Sequence, residues 1–598
     1  MNLFSPEDLA RTSYLPGPAG RLVARILMQL LGFKKVNRTF SNLRDKEGLD
    51  FITALQDQLE IKVEISEEDK KRIPATGAFI AISNHPFGGI DNLLLIKIIG
   101  DIRKDFKLLG DSLTRKIEPI ANHIIRDNPF DSDSPGSRFT GLKCSLKHLS
   151  EGNALGLFPA PEEAAYTSDS FQVQDTQWNN QIIQFIKKAE VPVIPVYFAG
   201  SNSWIFHLLG RIHPILKSAK LPSELINKKR KTIRIRIGNP ISVKEQKELG
   251  DYSRLGRYLR ARTYALGTHL EVRKFFKNPL KRLQRVEPII EAINPSLLQQ
   301  EIDALDPQYL LFESKAYRVI CAPAAAIPNT LIEIGRLREI TFRDVGEGTN
   351  RSFDLDEFDL YYHQLIIWDS EAAKIVGAYR IGKGKDIFDL YGNKGFYLQS
   401  LFRIKKPFNK ILQESLELGR SFIVKEYQRK PLSLFLLWKG ILYFLIKNPE
   451  YRYMIGPVSI SNDYSKFSKT LIVEYLKQNH YHASLAKHIQ ARKEFVVQDD
   501  LKIDKAIILE NAQTNINQLD SIIKDVEQKF SMPVLLKKYL SMGGQLIGFN
   551  IDPKFNNALD GFIILDIFNV PTTMIESLSK ELNDPQMMER FLKSDSTP

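Results

Sequence analysis

The stretch "ISNHPFGGIDNLLL", residues 82–95, decides the fold of the first half of the chain. The apolar segment "GAFIAIS" leads into it and predicts a buried strand, while the run "DNLLLIKIIGDI" has the length of a helix. His85 and Asp91 therefore flank a Pro-Phe-Gly-Gly turn between a strand and a helix. In open α/β sheets, ligands bind at the carboxyl ends of the strands, and this turn lies at such an end.

Two roles are open for Asp91. It can cap the helix, in which case His85 is an ordinary strand-end residue. It can also hold one ring nitrogen of His85, so that the other nitrogen accepts a proton from a hydroxyl group. One carboxylate can do both, and these residues alone do not choose between the roles.

The neighbouring apolar segments predict the rest of an α/β sheet. "ALGLFPA" (154–160) and "VPVIPVYFAG" (191–200) are typical of buried strands, and "TIRIRIGNPI" (232–241) alternates as an edge or half-exposed strand does. "RLVARILMQLLGF" (21–33) predicts an amphipathic helix, which either lies at a membrane interface or packs on the core.

The composition is that of a globular protein of 598 residues, with 43% hydrophobic and 26% charged residues. Its two cysteines, Cys144 and Cys321, form neither a disulfide framework nor a zinc spacing, which favours a reducing compartment. The first residues do not have the pattern of a cleaved signal peptide. Lys439 and Gly440 interrupt the longest apolar stretch (431–449), which predicts a buried helix rather than a membrane span.

The net charge of +13 leaves several partners open. Basic clusters at 227–236 and 273–285 suit nucleic acid, an anionic membrane or an acidic carrier protein, and they also suit plain solvated surfaces. A proline-containing connector at 286–308 predicts two α/β domains, 1–290 and 291–598, the second with strands at "AYRVICAP", "YHQLIIWD", "KIVGAYRIG" and "DGFIILDIF".

The first domain resembles the glycerolipid (PlsC-type) acyltransferases, in the branch described as hemolysin-like. The resemblance rests on the His-Asp block, on "FPAPEE", on "VPVIP" and on "FAGSNSWIFHLLGRIHP" (198–214), and covers about residues 20–270. It implies that His85, oriented by Asp91, deprotonates an acceptor hydroxyl. The hydroxyl then attacks the thioester of acyl-carrier protein or acyl-CoA, with no metal and no tightly bound cofactor.

Two departures from the family pattern affect the site. Five residues separate His85 from Asp91 where the family has four, and a glycine turn can absorb the extra one. The family's Phe-Pro-Glu-Gly is Phe-Pro-Ala-Pro-Glu here, so the acceptor-binding glutamate is assigned to Glu162, with Glu163 as the alternative. Arg126 is a candidate for binding an acidic group of either substrate, and a solvated arginine is the other reading of it.

The second domain resembles the N-acyltransferase branch of the GNAT fold that includes ornithine-lipid synthases, and more distantly the acyl-homoserine lactone synthases. The stretches that carry this are "EIGRLREITFRDVGEG", "FDLDEFDLYYHQLIIWD", "GAYRIG", "LELGRSFIVKEYQRK" and "PVLLKKYLSMGGQLIGFNIDPKFN", over roughly residues 305–570. The positions that match the family motif are Arg338, Phe342, Asp356, Asp359, Arg380, Glu417 and Arg420.

Glu417 is the first choice for the carboxylate that takes the amine proton or binds the ammonium group, followed by Asp356 and Asp359. The alternative is that these acids and arginines form a structural ion-pair network. A glycine-rich pyrophosphate loop does not follow Arg420, which favours acyl-carrier protein over a nucleotide-type donor.

The order of the two domains resembles the bifunctional ornithine-lipid synthases. The resemblance implies that the second domain N-acylates an ornithine-like amino acid with a 3-hydroxyacyl chain and that the first O-acylates the resulting lyso-lipid. We expect a bacterial aminolipid synthase, peripheral on the cytoplasmic face of the inner membrane, with no nucleic-acid partner. The alternatives are a lysophospholipid acyltransferase whose second domain acts on glycine or another amine, and a basic binding protein with inactive acyltransferase folds.

Overall fold

A computed structural model describes residues 28–29, 33–110, 113–125, 135–160, 165–167, 172–175, 177–212, 214–268, 270, 286–428, 430–497, 503–513, 515–528 and 530–582. The chain divides into two compact units, Met1–Phe275 with Asp499–Ser531, and Phe276–Gln498 with Met532–Pro598. The chain therefore passes between the units three times. The predicted division at residue 290 does not include the return of Asp499–Ser531 to the first unit.

The described strands are β1 (Lys62–Glu64), β2 (Phe79–Ser83), β3 (Lys107–Leu109), β4 (Ile124–Ile125), β5 (Ala154–Leu157), β6 (Ala165–Thr167), β7 (Gln172–Gln174), β8 (Val193–Ala199), β9 (Thr232–Ile237), β10 (Leu310–Ser314), β11 (Tyr317–Pro323), β12 (His363–Asp369), β13 (Lys374–Lys383), β14 (Phe402–Ile404), β15 (Ser415–Ile423), β16 (Tyr453–Ile460), β17 (Ile489–Ala491), β18 (Gln545–Asp552) and β19 (Ala558–Asp566).

The described α-helices are α1 (Phe33–Ser41), α2 (Gly48–Gln58), α3 (Glu67–Lys70), α4 (Ile90–Ile102), α5 (Pro135–Ser150), α6 (Asn180–Ala189), α7 (Trp204–Ile212), α8 (Pro214–Ile226), α9 (Val243–Glu248), α10 (Tyr252–Ala265), α11 (Pro295–Asp303), α12 (Pro328–Asp344), α13 (Gly384–Tyr391), α14 (Leu398–Leu401), α15 (Asn409–Gln413), α16 (Pro431–Lys447), α17 (Lys466–Asn479), α18 (Ala483–Ala486), α19 (Lys505–Ala512), α20 (Ile516–Glu527), α21 (Val534–Ser541) and α22 (Thr572–Leu582).

The first unit is built on a seven-stranded sheet in the order β1-β9-β8-β2-β5-β3-β4. Its strands pair in parallel except for β8 with β9. The central strands β2 and β5 are buried along their whole length, as expected for apolar strands covered by helices on both faces. This confirms the predicted α/β sheet and the predicted strand–turn–helix around His85.

Two of the predicted elements need comment. The alternating strand β9 is not at the edge of the sheet, because β1 pairs with its outer side. Its first four residues do alternate between exposed and buried, as the pattern indicated. Most of the predicted helix 21–33 lies outside the described residues.

The segment Asp499–Ser531 adds α19 and α20 to the first unit through a buried carboxylate. Asp525, in α20, is 1% exposed, and one of its oxygens accepts a hydrogen bond from Arg262 at 2.7 Å. The other oxygen accepts from the backbone and side-chain amides of Asn239, at 2.8 and 2.7 Å. Arg72 lies 3.3 Å from that oxygen, and Arg236 donates to the Asp525 carbonyl at 2.6 Å.

These contacts give α20 a structural role in the first unit. Arg262 and Arg236 are buried, 1% and 4% exposed, and a buried guanidinium without a counter-ion is strongly unfavourable. Arg236 pairs with Asp69 at 2.8 Å, and Arg262 pairs both with Glu245 at 3.0 Å and with Asp525. Asp525 thus supplies one of the two carboxylates of Arg262 from a position more than 250 residues farther along the chain.

We expect the substitution Asp525→Ala to destabilise the first unit by about 3 kcal/mol, because it removes the buried carboxylate that pairs with Arg262 at 2.7 Å and leaves Glu245 as the remaining carboxylate partner of that arginine. Chemical denaturation of the full chain, followed at a probe in the first unit, measures the change. Glu510→Ala is the control, since Glu510 is on the same segment but pairs with Arg254 at a half-exposed site. Equal stability of the two variants would contradict the structural role of Asp525.

The second unit contains an eight-stranded sheet in the order β10-β11-β12-β13-β15-β16-β19-β18. All neighbours are antiparallel except β15 and β16, which are parallel. The four predicted strands correspond to β11, β12, β13 and β19. The apolar stretch 431–449 forms α16, with Leu437 and Ile441 fully buried, and no helix in the described ranges is long and apolar enough to cross a membrane.

Candidate active sites

The turn that follows β2 is fixed at its start by Asn84. Its side-chain amide donates to the carbonyl of Phe198 in β8 at 2.9 Å, and its side-chain oxygen accepts from the Phe198 N–H at 2.8 Å. Asn84 therefore ties the end of the central strand to its neighbour immediately before His85. This position carries no recognisable motif of its own, and the sequence analysis missed it.

Asp91 holds the turn and the histidine together. Its carboxylate accepts backbone N–H groups of Phe87, Gly88 and Gly89 at 3.0, 3.3 and 2.8 Å. The same carboxylate lies 3.1 Å from Nδ1 of His85. The N-cap of α4 is Gly89, so Asp91 closes the turn from inside the helix rather than capping it. The predicted role of Asp91 as the helix cap is therefore wrong, because Gly89 occupies the N-cap position, while its predicted role beside the ring matches the 3.1 Å separation from Nδ1 of His85.

The extra residue between His85 and Asp91 is accommodated at Gly88. Gly88 has φ of +71°, a left-handed conformation that glycine adopts at little cost. The longer turn consequently still lets the carboxylate reach the ring.

The electrostatics of the pair suit a base. Burial alone raises the pKa of Asp91, but the neighbouring His85 and the turn N–H groups outweigh it and lower the pKa below its usual value. Asp91 is therefore ionised at neutral pH and stabilises a proton on Nδ1 of His85. Nε2 is then the nitrogen assigned to an acceptor hydroxyl.

The surroundings of His85 come from three other segments. Its ring packs on Phe158, with centroids 4.4 Å apart, and its backbone N–H donates to Asp175 at 3.1 Å. Trp178 donates to the same carboxylate at 3.2 Å, and the Asp175 N–H donates to the hydroxyl of Tyr264 in α10 at 2.9 Å. Asp175 and Tyr264 were not anticipated, because no local pattern marks residues that meet only in three dimensions.

Three predicted site residues of the first unit, Arg126, Glu162 and Glu163, lie outside the described residues. Their roles stay predictions. The strand that leads to the two glutamates, β5, does end next to His85, as the contact with Phe158 shows.

In the second unit the seven motif residues are brought together in one connected group. Arg338 and Arg380 are 0% and 1% exposed. Arg338 donates to one oxygen of Asp359 at 2.8 Å, and Arg380 donates to the other at 3.2 Å and to Asp356 at 2.5 Å. Burial raises the pKa of Asp359, but the two guanidinium groups outweigh it and hold the pKa well below its usual range.

Arg420 extends this network. Its guanidinium lies 3.0 Å from Asp354 and 3.4 Å from Asp356. It also lies over the ring of Phe555, 4.6 Å from the centroid, and Phe342 packs against the same ring at 5.6 Å. The predicted alternative of a structural ion-pair network is therefore well matched by the contacts of these arginines.

Glu417 joins the group through aromatic neighbours. It is 1% exposed, and it accepts hydrogen bonds from the hydroxyl of Tyr362 and from the backbone N–H groups of Tyr397 and Leu398, the latter two at 3.0 and 2.6 Å. Burial raises the pKa of Glu417 above its ordinary value. Its carboxylate thus fixes the N-terminus of α14, and its assignment as the catalytic base stays a prediction.

The position of Glu417 in the sheet is distinctive. Within the described strands, β15 and β16 share three residue pairs, the last being Glu417 with Ile455. Beyond it β15 continues to Ile423 paired with β13, while β16 continues to Ile460 paired with β19. Glu417 therefore lies where the two parallel strands stop pairing.

A group of buried acids near Arg420 was missed by the sequence analysis. Burial and the charges of Asp552 and Glu347 raise the pKa of Asp560 to about 8, although Ser459 donates to it at 2.6 Å. Burial and Asp463 likewise raise the pKa of Glu347 to about 7. These residues come from separate loops and strand ends, so only the fold assembles them.

Matches to two protein-family models support this division into two sites. Residues 5–273 match the family model described as Acyltransferase, and residues 337–439 match the Acetyltransferase (GNAT) domain. The chain is an acyltransferase. It combines an acyltransferase domain with a GNAT domain, as the sequence analysis predicted.

Two similar proteins come from Bacteroides thetaiotaomicron. A glycine N(alpha)-acyltransferase is 29% identical over 306 residues, 47% of this acyltransferase and 86% of the relative. A lyso-glycine lipid O-acyltransferase is 25% identical over 239 residues, 38% of this chain and 82% of the relative. The solved 1-acyl-sn-glycerophosphate acyltransferase PlsC of Thermotoga maritima is 17% identical, with a TM-score of 0.24 over 45% of this chain and 88% of that one.

The raised pKa of Asp560 predicts a pH-dependent stability of the second unit. Between about pH 4 and pH 8 the folded state holds a proton that the unfolded state has released, so stability falls as pH rises through this window. Asp560→Asn removes the titrating group, and we expect it to reduce the fall in Tm between pH 5 and pH 8.5 by about 3 °C or more. Calorimetry at both pH values measures this.

The control is Asp386→Asn, which changes a half-exposed carboxylate of the same unit that pairs with Lys383. It should leave the pH dependence as it is. The same slope in Asp560→Asn and in the unmodified chain would show that Asp560 does not titrate in this range.

Proposed function

We propose that this acyltransferase makes a glycine lipid in two successive acyl transfers. The GNAT unit N-acylates glycine with a 3-hydroxyacyl chain, and the first unit then O-acylates the hydroxyl of the product. The two domain types support this, and so do the two relatives, whose names describe one such step each.

The observation that carries the O-acyl step is the contact between His85 and Asp91, 3.1 Å apart in a buried turn. A hydroxyl proton transferred to Nε2 turns the ring into an imidazolium, which the ionised Asp91 stabilises. The alkoxide-like oxygen attacks the thioester carbonyl, and the imidazolium proton passes to the departing thiolate. No step needs an oxidant, a metal or a covalent intermediate on the protein.

The N-acyl step needs a group that accepts a proton from the amine before or during attack on the thioester. Glu417 is suited by its burial, which raises its pKa and makes it a better base than an exposed carboxylate. The hydroxyl of Tyr362 bonded to it gives a short path for a proton. Arg338 and Arg380 both pair with Asp359. The guanidinium group of Arg380 also lies over the ring of Tyr362, 5.3 Å from its centroid, and so helps to position it.

Acyl-carrier protein is the proposed donor. The segment 424–430 between β15 and α16 contains no glycine, whereas loops that wrap a pyrophosphate rely on glycine to expose successive backbone N–H groups. A net charge of +13 suits an acidic carrier protein and an anionic membrane surface. We accordingly place the enzyme on the cytoplasmic face of the membrane.

Product analysis tests the amino acid. The purified chain is incubated with 3-hydroxyacyl and acyl donors and with glycine or ornithine, and the lipids are identified by mass spectrometry. We expect an acyloxyacyl glycine. Acylated ornithine alone would restore the ornithine-like substrate expected from the sequence, and acylation of lysophosphatidic acid without any amide would favour a lysophospholipid acyltransferase.

In the same assay, His85→Ala should lower formation of the diacyl product by at least about 100-fold, the usual effect of losing a general base. The monoacyl amide should accumulate, because the second unit is untouched. His123→Ala, a half-buried histidine of the same unit, is the control. Loss of both products in His85→Ala would contradict the assignment of one transfer to each unit.

Glu417→Gln tests the second site. The amide oxygen of glutamine can still accept hydrogen bonds, but the side chain cannot take a proton at neutral pH, so we expect amide formation to fall by about 100-fold or more. Tyr362→Phe is the matched variant, since it removes the hydrogen bond to Glu417 and keeps the carboxylate. Because Tyr362 is itself on the proposed proton path, Tyr362→Phe is the reference for thermal stability only. A loss of amide formation in Glu417→Gln no larger than its loss of folded protein would make Glu417 a structural residue and not the base.

A further inference from the structure

Helix α7 carries an apolar face that the described protein leaves uncovered. Trp204, Ile205 and Leu208 are 72%, 43% and 45% exposed. Spacings of three and four residues place these side chains on one side of the helix. Phe206, on the other side, is fully buried and holds the helix to the unit.

This face is fixed close to the His85 turn. Asn202, two residues before α7, donates to the carbonyl of Phe87 at 3.1 Å. Ser203 caps the helix, and its backbone N–H and hydroxyl both donate to Glu224 of α8, at 3.0 and 2.6 Å. The apolar side chains therefore start two residues after Asn202, which is bonded to the catalytic turn.

The surrounding charge is positive. Residues 204–231 contain seven lysines and arginines and one acid, Glu224. Glu224 is 1% exposed. Its carboxylate accepts the two hydrogen bonds from Ser203 and lies 3.6 Å from Lys228.

Of these lysines and arginines, Lys228 is 6% exposed, and Lys229 and Arg230 pair with Glu60. The hairpin of α7 and α8 itself carries Arg211, Lys217 and Lys220 against one buried acid. It therefore combines apolar side chains with a net positive charge and has no exposed carboxylate of its own.

We propose that Trp204, Ile205 and Leu208 form the membrane-docking face of the first unit, seated on the surface of an anionic bilayer. Amphipathic helices bind such surfaces by burying apolar side chains among the lipids and by placing cations near anionic headgroups. Tryptophan is enriched at this depth, where its ring is apolar and its N–H is polar. The inference rests on the proposed function, in which the acceptor of the O-acyl transfer is itself a membrane lipid.

The tryptophans of the chain provide a direct reporter. Of the four, Trp178, Trp368 and Trp438 are 4%, 0% and 4% exposed, against 72% for Trp204. A quencher that stays in the bilayer can therefore reach Trp204 far more readily than the others.

The first experiment mixes the full chain with phosphatidylcholine vesicles that contain about one quarter phosphatidylglycerol and brominated acyl chains. We expect the emission of the bound protein to be quenched, and Trp204→Phe to float with the vesicles but to lose most of the quenching. Binding without any quenching would overturn the proposal, since another surface would then hold the membrane.

The second experiment measures flotation of the double variant Ile205→Ser, Leu208→Ser. In the proposed complex these two apolar side chains are buried in the bilayer, so replacing both with serine should weaken vesicle binding at least tenfold. Ile102→Ser, at the distant end of α4, makes the same kind of change at a residue that is 39% exposed and should bind as the unmodified chain does. Equal binding of the double variant would also overturn the proposal. A third outcome would overturn it as well. If the unmodified chain is a dimer in solution and the double variant is a monomer, the apolar face is a contact between subunits.

Activity separates this inference from the proposed function. With an acceptor dispersed in detergent, the double variant should O-acylate as fast as the unmodified chain, and with an acceptor in vesicles at least tenfold more slowly. Normal vesicle binding and quenching without O-acylation would refute the proposed function and keep the docking face. O-acylation without vesicle binding would refute the docking face and keep the proposed function.

Discussion

The first active site depends on one buried carboxylate. Asp91 takes the N–H groups of three successive turn residues and still lies 3.1 Å from the His85 ring. Because each of these bonds favours the charged form, the carboxylate stays ionised although it is fully buried. The turn, the orientation of the histidine and the start of α4 are thus set by the same group, and none can change without the others.

The second site is arranged differently. There the buried charges include several arginines, and Asp356 and Asp359 are held by guanidinium groups as well as by backbone N–H groups. Removing one partner of a buried ion pair costs about 3–5 kcal/mol, so this network fixes its geometry strongly whatever else it does. The motif arginines therefore have a structural reason to be present, and the catalytic role proposed in this unit rests on Glu417, a carboxylate whose pKa is raised by burial.

The sequence predicted what local patterns determine. Apolar strands, the turn between β2 and α4 and the buried helix α16 were visible, because each has a periodicity or a spacing of its own, whereas the seven motif residues of the second unit came from the resemblance to a known family. Asp175, Tyr264 and Asp525 were not, since their partners lie from tens to hundreds of residues away. The same holds for the return of Asp499–Ser531 to the first unit, since nothing in the sequence of its helices indicates that Asp525 pairs with Arg262.

The fusion of two transferases has a physical consequence for the intermediate. An amino acid that carries one long acyl chain already partitions into a bilayer, at about 0.8 kcal/mol for each buried methylene group. The intermediate therefore does not need a channel through the protein, provided that the O-acyl site reaches the surface on which it is left. The proposed docking face would meet this requirement, because its helix is connected to the catalytic turn through Asn202 and would hold His85 at the membrane surface on which the proposed monoacyl product is left.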